Sequence, residues 1–225
     1  MKSLVTGGAG FIGSNLVDEL VKLGHDVIVI DNEYSDAHDH FYWNHNTKNY
    51  KFDIRDYENT RPLYDGVDYV FHIAAEARIQ PAILNPVGAI SINSVGTCTV
   101  LQCAREAGVK KLMYSSTSAG YGMNPQPNIE TQPDDCLNPY SVSKVNGEKL
   151  CKMYTDLFDL DTVIQRDFDG MCDYAVKDKL TMLYCFWKPI DWESQAFKVS
   201  GFDPDFEFAA LVNSSIMMWH GNSLD

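Results

Sequence analysis

Short apolar runs alternate with amphipathic stretches from Met1 to about Arg166. The run Val27–Ile30 has the length of a strand and no polar position, which is typical of a parallel strand covered on both faces. Similar runs occur at four other places, namely Leu4–Thr6, Tyr69–Ile73, Leu112–Tyr114 and Thr162–Ile164. Strands that alternate with helices in this way predict an α/β fold built on a doubly wound parallel sheet.

Two of the amphipathic stretches have clear helical spacing. Phe11–Leu23 repeats its apolar residues on one helical face, and Gly24 follows where a left-handed helix terminus is expected. A second helix is predicted from about Asn93 to Ala107, and it too ends at a glycine, Gly108. Both helices therefore have a predicted end as well as a predicted face.

The pattern changes after Arg166. The segment Asp167–Asp225 is rich in aromatic residues but shows little periodicity, so its fold is not predicted. It is also too apolar to read as a disordered tail. We therefore expect one domain over residues 1–166 and a separate segment over residues 167–225.

Composition excludes several classes of protein. The formal net charge of −13 argues against nucleic acids and anionic membranes as partners, because both bind a basic surface. No apolar run approaches the roughly 20 residues of a membrane span, and no leader is expected before the first strand. With neither expected, the protein is expected to be cytoplasmic. The six cysteines lack the spacing of a metal site, so we expect buried thiols and no metal.

Three glycines follow the first predicted strand and open the first predicted helix. Gly7, Gly10 and Gly13 allow a tight turn, a close approach of backbone to a pyrophosphate, and close helix–strand packing. The unpaired amides of the first helical turn then face the phosphates. This strand–turn–helix context predicts a Rossmann-type dinucleotide site.

An acidic residue stands at the end of the second strand. Asp31 follows the glycines by roughly 20 residues, the distance at which a carboxylate binds the ribose hydroxyls of NAD. A carboxylate there repels the 2′-phosphate of NADP, so NAD is favoured. Asp53 and Ile54, after the third strand, are candidates for a place beside the adenine; the sequence alone leaves that open.

A tyrosine and a lysine share a helix face after the fifth strand. Asn138 and Pro139 predict the start of a helix, which puts Tyr140 and Lys144 one turn apart. An ammonium near a phenol lowers the pKa of the phenol, and a phenol so placed exchanges a proton with a sugar hydroxyl. One hydroxyl of the run 115–118 is expected to hydrogen-bond the reacting oxygen beside Tyr140.

These stretches together resemble the extended short-chain dehydrogenase/reductase family, in particular its NAD-dependent nucleotide-sugar epimerases of the UDP-glucose 4-epimerase type. They occur in the order of the family and cover about the first 165 residues. The matching stretches are TGGAGFIG at Thr6–Gly13, VIVIDN at Val27–Asn32, DIRD at Asp53–Asp56, FHIAA at Phe71–Ala75, INSVGT at Ile92–Thr97, SSTSAGYG at Ser115–Gly122 and PYSVSK at Pro139–Lys144.

The resemblance implies a role for each matching position. Thr117, Tyr140 and Lys144 fall on the catalytic threonine or serine, tyrosine and lysine of the family. The positions that it implies for binding the dinucleotide are Phe11, Ile12, Asp31, Asn32, Asp53, Ile54, Ile73, Ala74, Ala75 and Asn93, together with Tyr140 and Lys144. The implied reaction oxidises a nucleotide sugar to a transient 4-keto sugar and returns the hydride to its other face, with NAD held as a catalyst.

Other functions stay open beside the epimerase. Sugar-nucleotide dehydratases of this family have Asp-Glu after the catalytic threonine, whereas Ser118 and Ala119 follow Thr117 here, so a dehydratase ranks low. A nucleotide-sugar reductase or dehydrogenase with net turnover of NAD(H) is a further alternative. A protein that binds NAD but is inactive or regulatory is another.

The resemblance weakens after the sixth strand. The family has Arg-Tyr-Phe-Asn there, while Arg166–Asp169 reads Arg-Asp-Phe-Asp. We therefore interpret residues 167–225 as a reduced or divergent remnant of a substrate-binding part. The expected substrate is a nucleotide sugar, a UDP-sugar above all.

The family also implies a homodimer, formed by helices that match roughly Asn93–Ala107 and Tyr140–Asp156. Four apolar residues of the second helix fit either such an interface or the core of the domain, and the sequence does not decide between the two. They are Val145, Leu150, Met153 and Tyr154.

Overall fold

The computed structural model describes residues 1–35, 40–125 and 128–166. Met1–Arg166 forms one compact unit. The predictions for residues 167–225, for Asp167–Asp169 of the altered motif, and for Cys172 and Cys185 lie outside the described residues.

The described part contains a parallel sheet, as the sequence predicts, and this sheet has six strands. The order across the sheet is β3-β2-β1-β4-β5-β6, so the direction of winding reverses between β1 and β4. In sheets of this kind, ligands bind beside the carboxyl ends of the strands at such a reversal. The strands are β1 (Lys2–Thr6), β2 (Asp26–Asp31), β3 (Lys48–Lys51), β4 (Tyr69–His72), β5 (Lys111–Ser115) and β6 (Thr162–Gln165).

The helices cover both the predicted stretches and some that were not predicted. The first predicted helix is confirmed apart from its last residue, and Gly24 and Gly108 have positive φ angles of 79° and 68°. The α-helices are α1 (Phe11–Lys22), α2 (Tyr57–Thr60), α3 (Ile79–Leu84), α4 (Pro86–Ile90), α5 (Gly96–Glu106) and α6 (Pro139–Phe158). Short 3₁₀ segments cover Arg61–Tyr64 and Ser118–Tyr121, and a π-helical turn covers Ser91–Val95.

The predicted start of the second helix at Asn93 is wrong. The helix is continuous from Pro86 to Glu106. It starts there because Asn85 caps it: the Asn85 side-chain oxygen accepts a hydrogen bond of 3.0 Å from the Gly88 amide. Pro86 then occupies the first turn, where its missing N–H removes no bond. Asn-Pro is the same start signal that predicts α6.

The helix Pro86–Glu106 also has the length and mean hydropathy, 1.3, of a membrane span, which the sequence analysis did not anticipate. In this structure 56% of that window is buried within the domain. Its polar residues Asn93 and Thr97 are almost fully buried and bind other protein groups. These contacts are those of a core helix.

The core lies between the central strands and the helices α5 and α6. Of the four residues left open as interface or core, Tyr154 is buried in this core and Leu150 packs against it. Val145 is buried as well, whereas Met153 is exposed. The predicted buried thiols are confirmed for Cys103 and Cys151, which are free and fully buried. Cys98 and Cys136 are free thiols as well, but only partly buried.

Two histidines are buried inside the sheet region. The His72 ring bridges Thr6 and Thr97, with Nδ1 2.7 Å from Thr6 Oγ1 and Nε2 2.9 Å from Thr97 Oγ1. Burial, together with the positive charge of Lys144, lowers the pKa of His72 to about 3. His25 hydrogen-bonds Ser3 Oγ through Nδ1 at 2.8 Å, at the start of the strands.

The buried His72 makes the fold sensitive to acid. Its pKa is about 3 when folded and about 6.5 when unfolded, so between these values only the unfolded chain binds the proton. We expect His72 to reduce the free energy of unfolding by about 1.4 kcal/mol for each pH unit below 6.5. Urea unfolding of the wild type and of His72→Gln from pH 7 to pH 4.5 measures this: the variant should lose less per pH unit, and equal slopes would contradict it.

Candidate active site

The turn after β1 admits only glycine at two positions. Gly7 has φ +73°, and a Cβ there would lie 2.7 Å from the Ala74 amide nitrogen. A Cβ on Gly13 would lie 2.1 Å from the Gly7 carbonyl oxygen. Both contacts are too short for a carbon atom, so the predicted spacing of glycines reflects the close packing of β1, α1 and the loop after β4.

The same turn leaves the start of α1 without a side-chain cap. Gly10 is the N-cap, no acidic residue stands in the first turn, and the helical bonds begin with Ser14 N–H donating to the Gly10 carbonyl at 2.9 Å. The amides of Phe11, Ile12 and Gly13 precede that bond. Amides at a helix N-terminus bind anions, so this end of α1 fits the pyrophosphate of a dinucleotide.

Asp31 lies directly beside the glycine turn. Its buried carboxylate accepts hydrogen bonds from the Ala9 amide at 3.1 Å and the Glu33 amide at 2.8 Å. These bonds fix the carboxylate at the end of β2. Each carboxylate oxygen can accept a second hydrogen bond. The hydroxyl groups of a ribose can donate such bonds.

Asn32 and Asp53 come together next to Asp31. The Asn32 side chain donates to the Asp53 carboxylate at 3.2 Å, and Arg55 binds the same carboxylate at 2.6 and 2.9 Å. The bond to Arg55 lowers the pKa of Asp53, so this residue stays ionised. The side chain of Ile54, in contrast, is buried in the core, close to Gly96 of α5.

The loop after β4 lies against the glycine turn. The amides of Ile73 and Ala74 donate to the Thr6 carbonyl at 3.2 and 3.1 Å, and the Ala74 amide also donates to Thr6 Oγ1 at 3.3 Å. Ala75 follows in the same loop. The three residues that the sequence places along the dinucleotide therefore line the same edge of the sheet as Gly7.

Asn93 joins this loop to the helix of Tyr140. Its side-chain oxygen accepts from the Glu76 amide at 2.8 Å, and its amide nitrogen donates to the Glu76 carbonyl at 3.0 Å and to Ser143 Oγ at 2.8 Å. Both amide hydrogens are thus used within the protein, and Asn93 is 1% exposed. Its place in a π-helical turn, which is frequent at functional sites, aims the side chain at both partners.

The structure brings the three predicted catalytic residues together. Thr117 hydrogen-bonds Tyr140 and also accepts from the Ala119 amide at 3.1 Å. Tyr140 and Lys144 lie one turn apart in α6 and are both buried. A capping box between Asn138 and Ser141 fixes the start of that helix.

Burial dominates the electrostatics of the pair. It raises the pKa of Tyr140; the hydrogen bond of Thr117 lowers that pKa, and the negative charge of Glu76 raises it. Burial also lowers the pKa of Lys144 to about 8. The expectation that the Lys144 charge lowers the pKa of Tyr140 is therefore not met here. The ammonium instead lies over the Tyr114 ring, 4.4 Å from its centroid.

Several residues of the site were missed by the sequence analysis. Glu76 is buried near Tyr140, and Ser143 bonds both Asn93 and the Tyr140 carbonyl. Arg166 donates to Glu148 at 2.8 and 2.7 Å and to Asp134 at 2.6 Å. Glu76, Ser143 and Arg166 lie next to or within motifs that were recognised for other residues, whereas Glu148 and Asp134 had no such signal.

Comparison with known proteins shows which family this chain resembles. The family model described as the NAD dependent epimerase/dehydratase family matches residues 3–179. UDP-glucose 4-epimerase of Mycolicibacterium smegmatis is 36% identical over 167 residues, which are 72% of this chain and 53% of that protein. This chain therefore spans about half the length of the relatives that it matches.

Two solved structures have the same fold. UDP-glucose 4-epimerase of Thermotoga maritima with UDP-glucose has a TM-score of 0.70 at 33% identity, over 74% of this chain and 55% of that chain. UDP-glucose 4-epimerase of Thermus thermophilus in complex with NAD has a TM-score of 0.68 at 32% identity, over 74% and 54%. The chain belongs to the NAD dependent epimerase/dehydratase family.

Proposed function

We propose that this chain is an NAD-dependent enzyme that epimerises a nucleotide sugar, in the first place a UDP-sugar, at C4. The observation that supports this most is the hydrogen bond between Thr117 and Tyr140, with Lys144 on the next turn, at the sheet edge that holds the glycine turn. The relatives named UDP-glucose 4-epimerase support the reaction and the class of substrate.

The cofactor of the family is NAD, and the residues of the glycine turn fit it. The amides of Phe11, Ile12 and Gly13 would hold the pyrophosphate, and Asp31 with Asn32 would hold the adenosine ribose. Asp31 also disfavours a 2′-phosphate by charge. When bound, NAD supplies the hydride acceptor and donor that oxidation and reduction at C4 require.

Tyr140 is the proposed acid and base. As the phenolate, it takes the proton of the sugar 4-hydroxyl and becomes the phenol, which later returns that proton, while Thr117 hydrogen-bonds the same oxygen and holds its position. Lys144 supplies a buried amine on the same helix face, with a pKa of about 8 that keeps it mostly protonated at pH 7. No proton is gained or lost over a complete turnover.

We also propose that the protein works as a cytoplasmic homodimer formed through α5 and α6. Apolar side chains at Val95, Val142 and Met153, in or beside these helices, are exposed. Burying such side chains against a second copy would stabilise a dimer.

Replacement of Tyr140 tests the proposed chemistry. Tyr140→Phe removes the phenol oxygen but keeps the ring, and we expect product formation to fall by about 10²–10⁴-fold while NAD still binds. The measurement is NMR detection of a C4 epimer after incubation with NAD and a panel of UDP-, GDP- and dTDP-sugars. Wild-type conversion that survives in Tyr140→Phe would contradict the assignment.

The same assay separates the alternatives. A nucleotide-sugar reductase or dehydrogenase would change the absorbance of NADH in proportion to product, whereas an epimerase produces no net change. If the wild type binds NAD but converts no sugar of the panel, the protein is the inactive or regulatory NAD binder.

Replacement of Gly13 tests the cofactor site. Gly13→Ala places a carbon 2.1 Å from the Gly7 carbonyl oxygen, so the turn must move, and we expect NAD affinity to fall at least about 10-fold. Gly24→Ala is the matched control, because a Cβ at Gly24 meets nothing within 4 Å. Titration calorimetry should show nearly unchanged affinity for the control. Equal affinities of Gly13→Ala and the wild type would exclude this turn as the binding site.

A further inference from the structure

A line of buried polar groups crosses the domain from the glycine turn to the helix of Lys144. Thr6 Oγ1 lies 2.7 Å from His72 Nδ1, and His72 Nε2 lies 2.9 Å from Thr97 Oγ1. Thr97 hydrogen-bonds the Tyr114 hydroxyl, and this hydroxyl donates to the Lys144 carbonyl at 3.1 Å. The four side chains are at most 1% exposed, and we call them the buried chain.

The two ends of the buried chain fix the direction of its hydrogen bonds. A carbonyl only accepts, so the single proton of the Tyr114 hydroxyl goes to Lys144. Thr97 must therefore donate to Tyr114, which leaves its oxygen to accept from His72 Nε2–H. At the other end the Ala74 amide donates to Thr6 Oγ1, which leaves the Thr6 proton free to go to His72 Nδ1.

This direction fixes the protonation of His72. The ring must be neutral, with its proton on Nε2 and a lone pair on Nδ1. Its surroundings also favour the neutral ring: it is fully buried, the Tyr114 ring lies 5.6 Å from it, and the charge of Lys144 lowers its pKa further. If the proton were on Nδ1, Thr97 would have to donate to Nε2, and the Tyr114 hydroxyl oxygen would lose its donor. This position is buried, so the loss of that hydrogen bond would be costly.

The buried chain ends at a close contact with α6. A Cβ on Gly147 would lie 2.2 Å from the Tyr114 hydroxyl oxygen, so glycine allows α6 to pack directly on that hydroxyl. Tyr114 then contacts Lys144 twice, through the hydroxyl at its carbonyl and through the ring under its ammonium. The position of Lys144 thus depends on Tyr114.

We propose that His72 is a positioning residue, which holds the glycine turn and Lys144 in register through a one-directional chain of hydrogen bonds. Its effect on catalysis rests on the function proposed above. The chain itself does not, because it is defined by the contacts of Thr6, His72, Thr97 and Tyr114.

The protonation of His72 is the first test. In ¹⁵N-labelled full-length protein, long-range ¹H–¹⁵N spectra should show a protonated Nε2 and an unprotonated Nδ1, unchanged from pH 5 to pH 8. A proton on Nδ1, a mixture of the two forms, or titration near pH 6.5 would overturn the proposal. His25→Leu and His72→Gln variants assign the signals.

A double-mutant cycle tests whether the chain transmits its effects. Thr6 and Tyr114 lie on β1 and β5 with β4 between them, so their backbones are about 9.5 Å apart. Independent substitutions would multiply their effects on the unfolding equilibrium constant. We expect the effect of Thr6→Val with Tyr114→Phe to be at least about twofold smaller than that product. A simple product would contradict the chain.

Turnover tests the positioning role, with His25 as the matched control. His25 is also buried and bonded to a hydroxyl of β1, but at the opposite edge of the sheet. We expect His72→Leu to lower kcat about 10-fold or more, because small displacements of catalytic groups are costly. His25→Leu should stay within about twofold of the wild type, and His72→Gln, which keeps a donor for Thr97, should recover part of the loss.

The two proposals fail in different ways. Equal kcat values for His72→Leu and His25→Leu would remove the positioning role. A wild type that converts no sugar would remove the epimerase function, and the NMR spectra and the double-mutant cycle would then still decide whether the buried chain exists.

Discussion

The close contact between Gly7 and Ala74 is the constraint on which the rest of the site depends. Gly7 leaves β1 with a positive φ, and its missing Cβ lets the loop after β4 come within van der Waals contact of the turn. This contact lies at the reversal point of the sheet, between β1 and β4. It brings the loop 73–75 to the same edge as the unpaired amides of α1, which is where a dinucleotide binds in sheets of this kind.

Polar groups that are buried at this edge hold the catalytic helix in place. Asn93 uses both of its amide hydrogens to join the loop at Glu76 to Ser143, and Ser143 in turn bonds the Tyr140 carbonyl. An unpaired polar group at such depth costs about 1–3 kcal/mol, so each of these bonds penalises any other arrangement of α6. The edge is therefore rigid because its hydrogen bonds are satisfied, not because it is apolar.

The fold and most of the site follow from local signals in the sequence. Asn138-Pro139 predicts the start of α6 correctly, and the glycines predict a turn whose contacts do exclude side chains. The identical signal Asn85-Pro86 was missed, although an apolar helix follows it. Glu76, Ser143 and His72 were not recognised either, since nothing in their neighbours along the chain shows which distant residues they bond. Such contacts depend on the packing of whole elements, which local patterns do not contain.

The electrostatics of Tyr140 and Lys144 show why spacing alone does not give a pKa. A tyrosine and a lysine one turn apart suggest that the ammonium stabilises the phenolate. Burial instead disfavours both charges and moves the two pKa values apart, that of Tyr140 upward and that of Lys144 down to about 8. Glu76 adds a negative charge that acts against ionisation of Tyr140. A buried site of this kind ionises the phenol only when a further positive charge lies beside it. Ionisation of Tyr140 therefore depends on the charge that binds beside it, while Lys144, with a pKa of about 8, is already mostly protonated at pH 7.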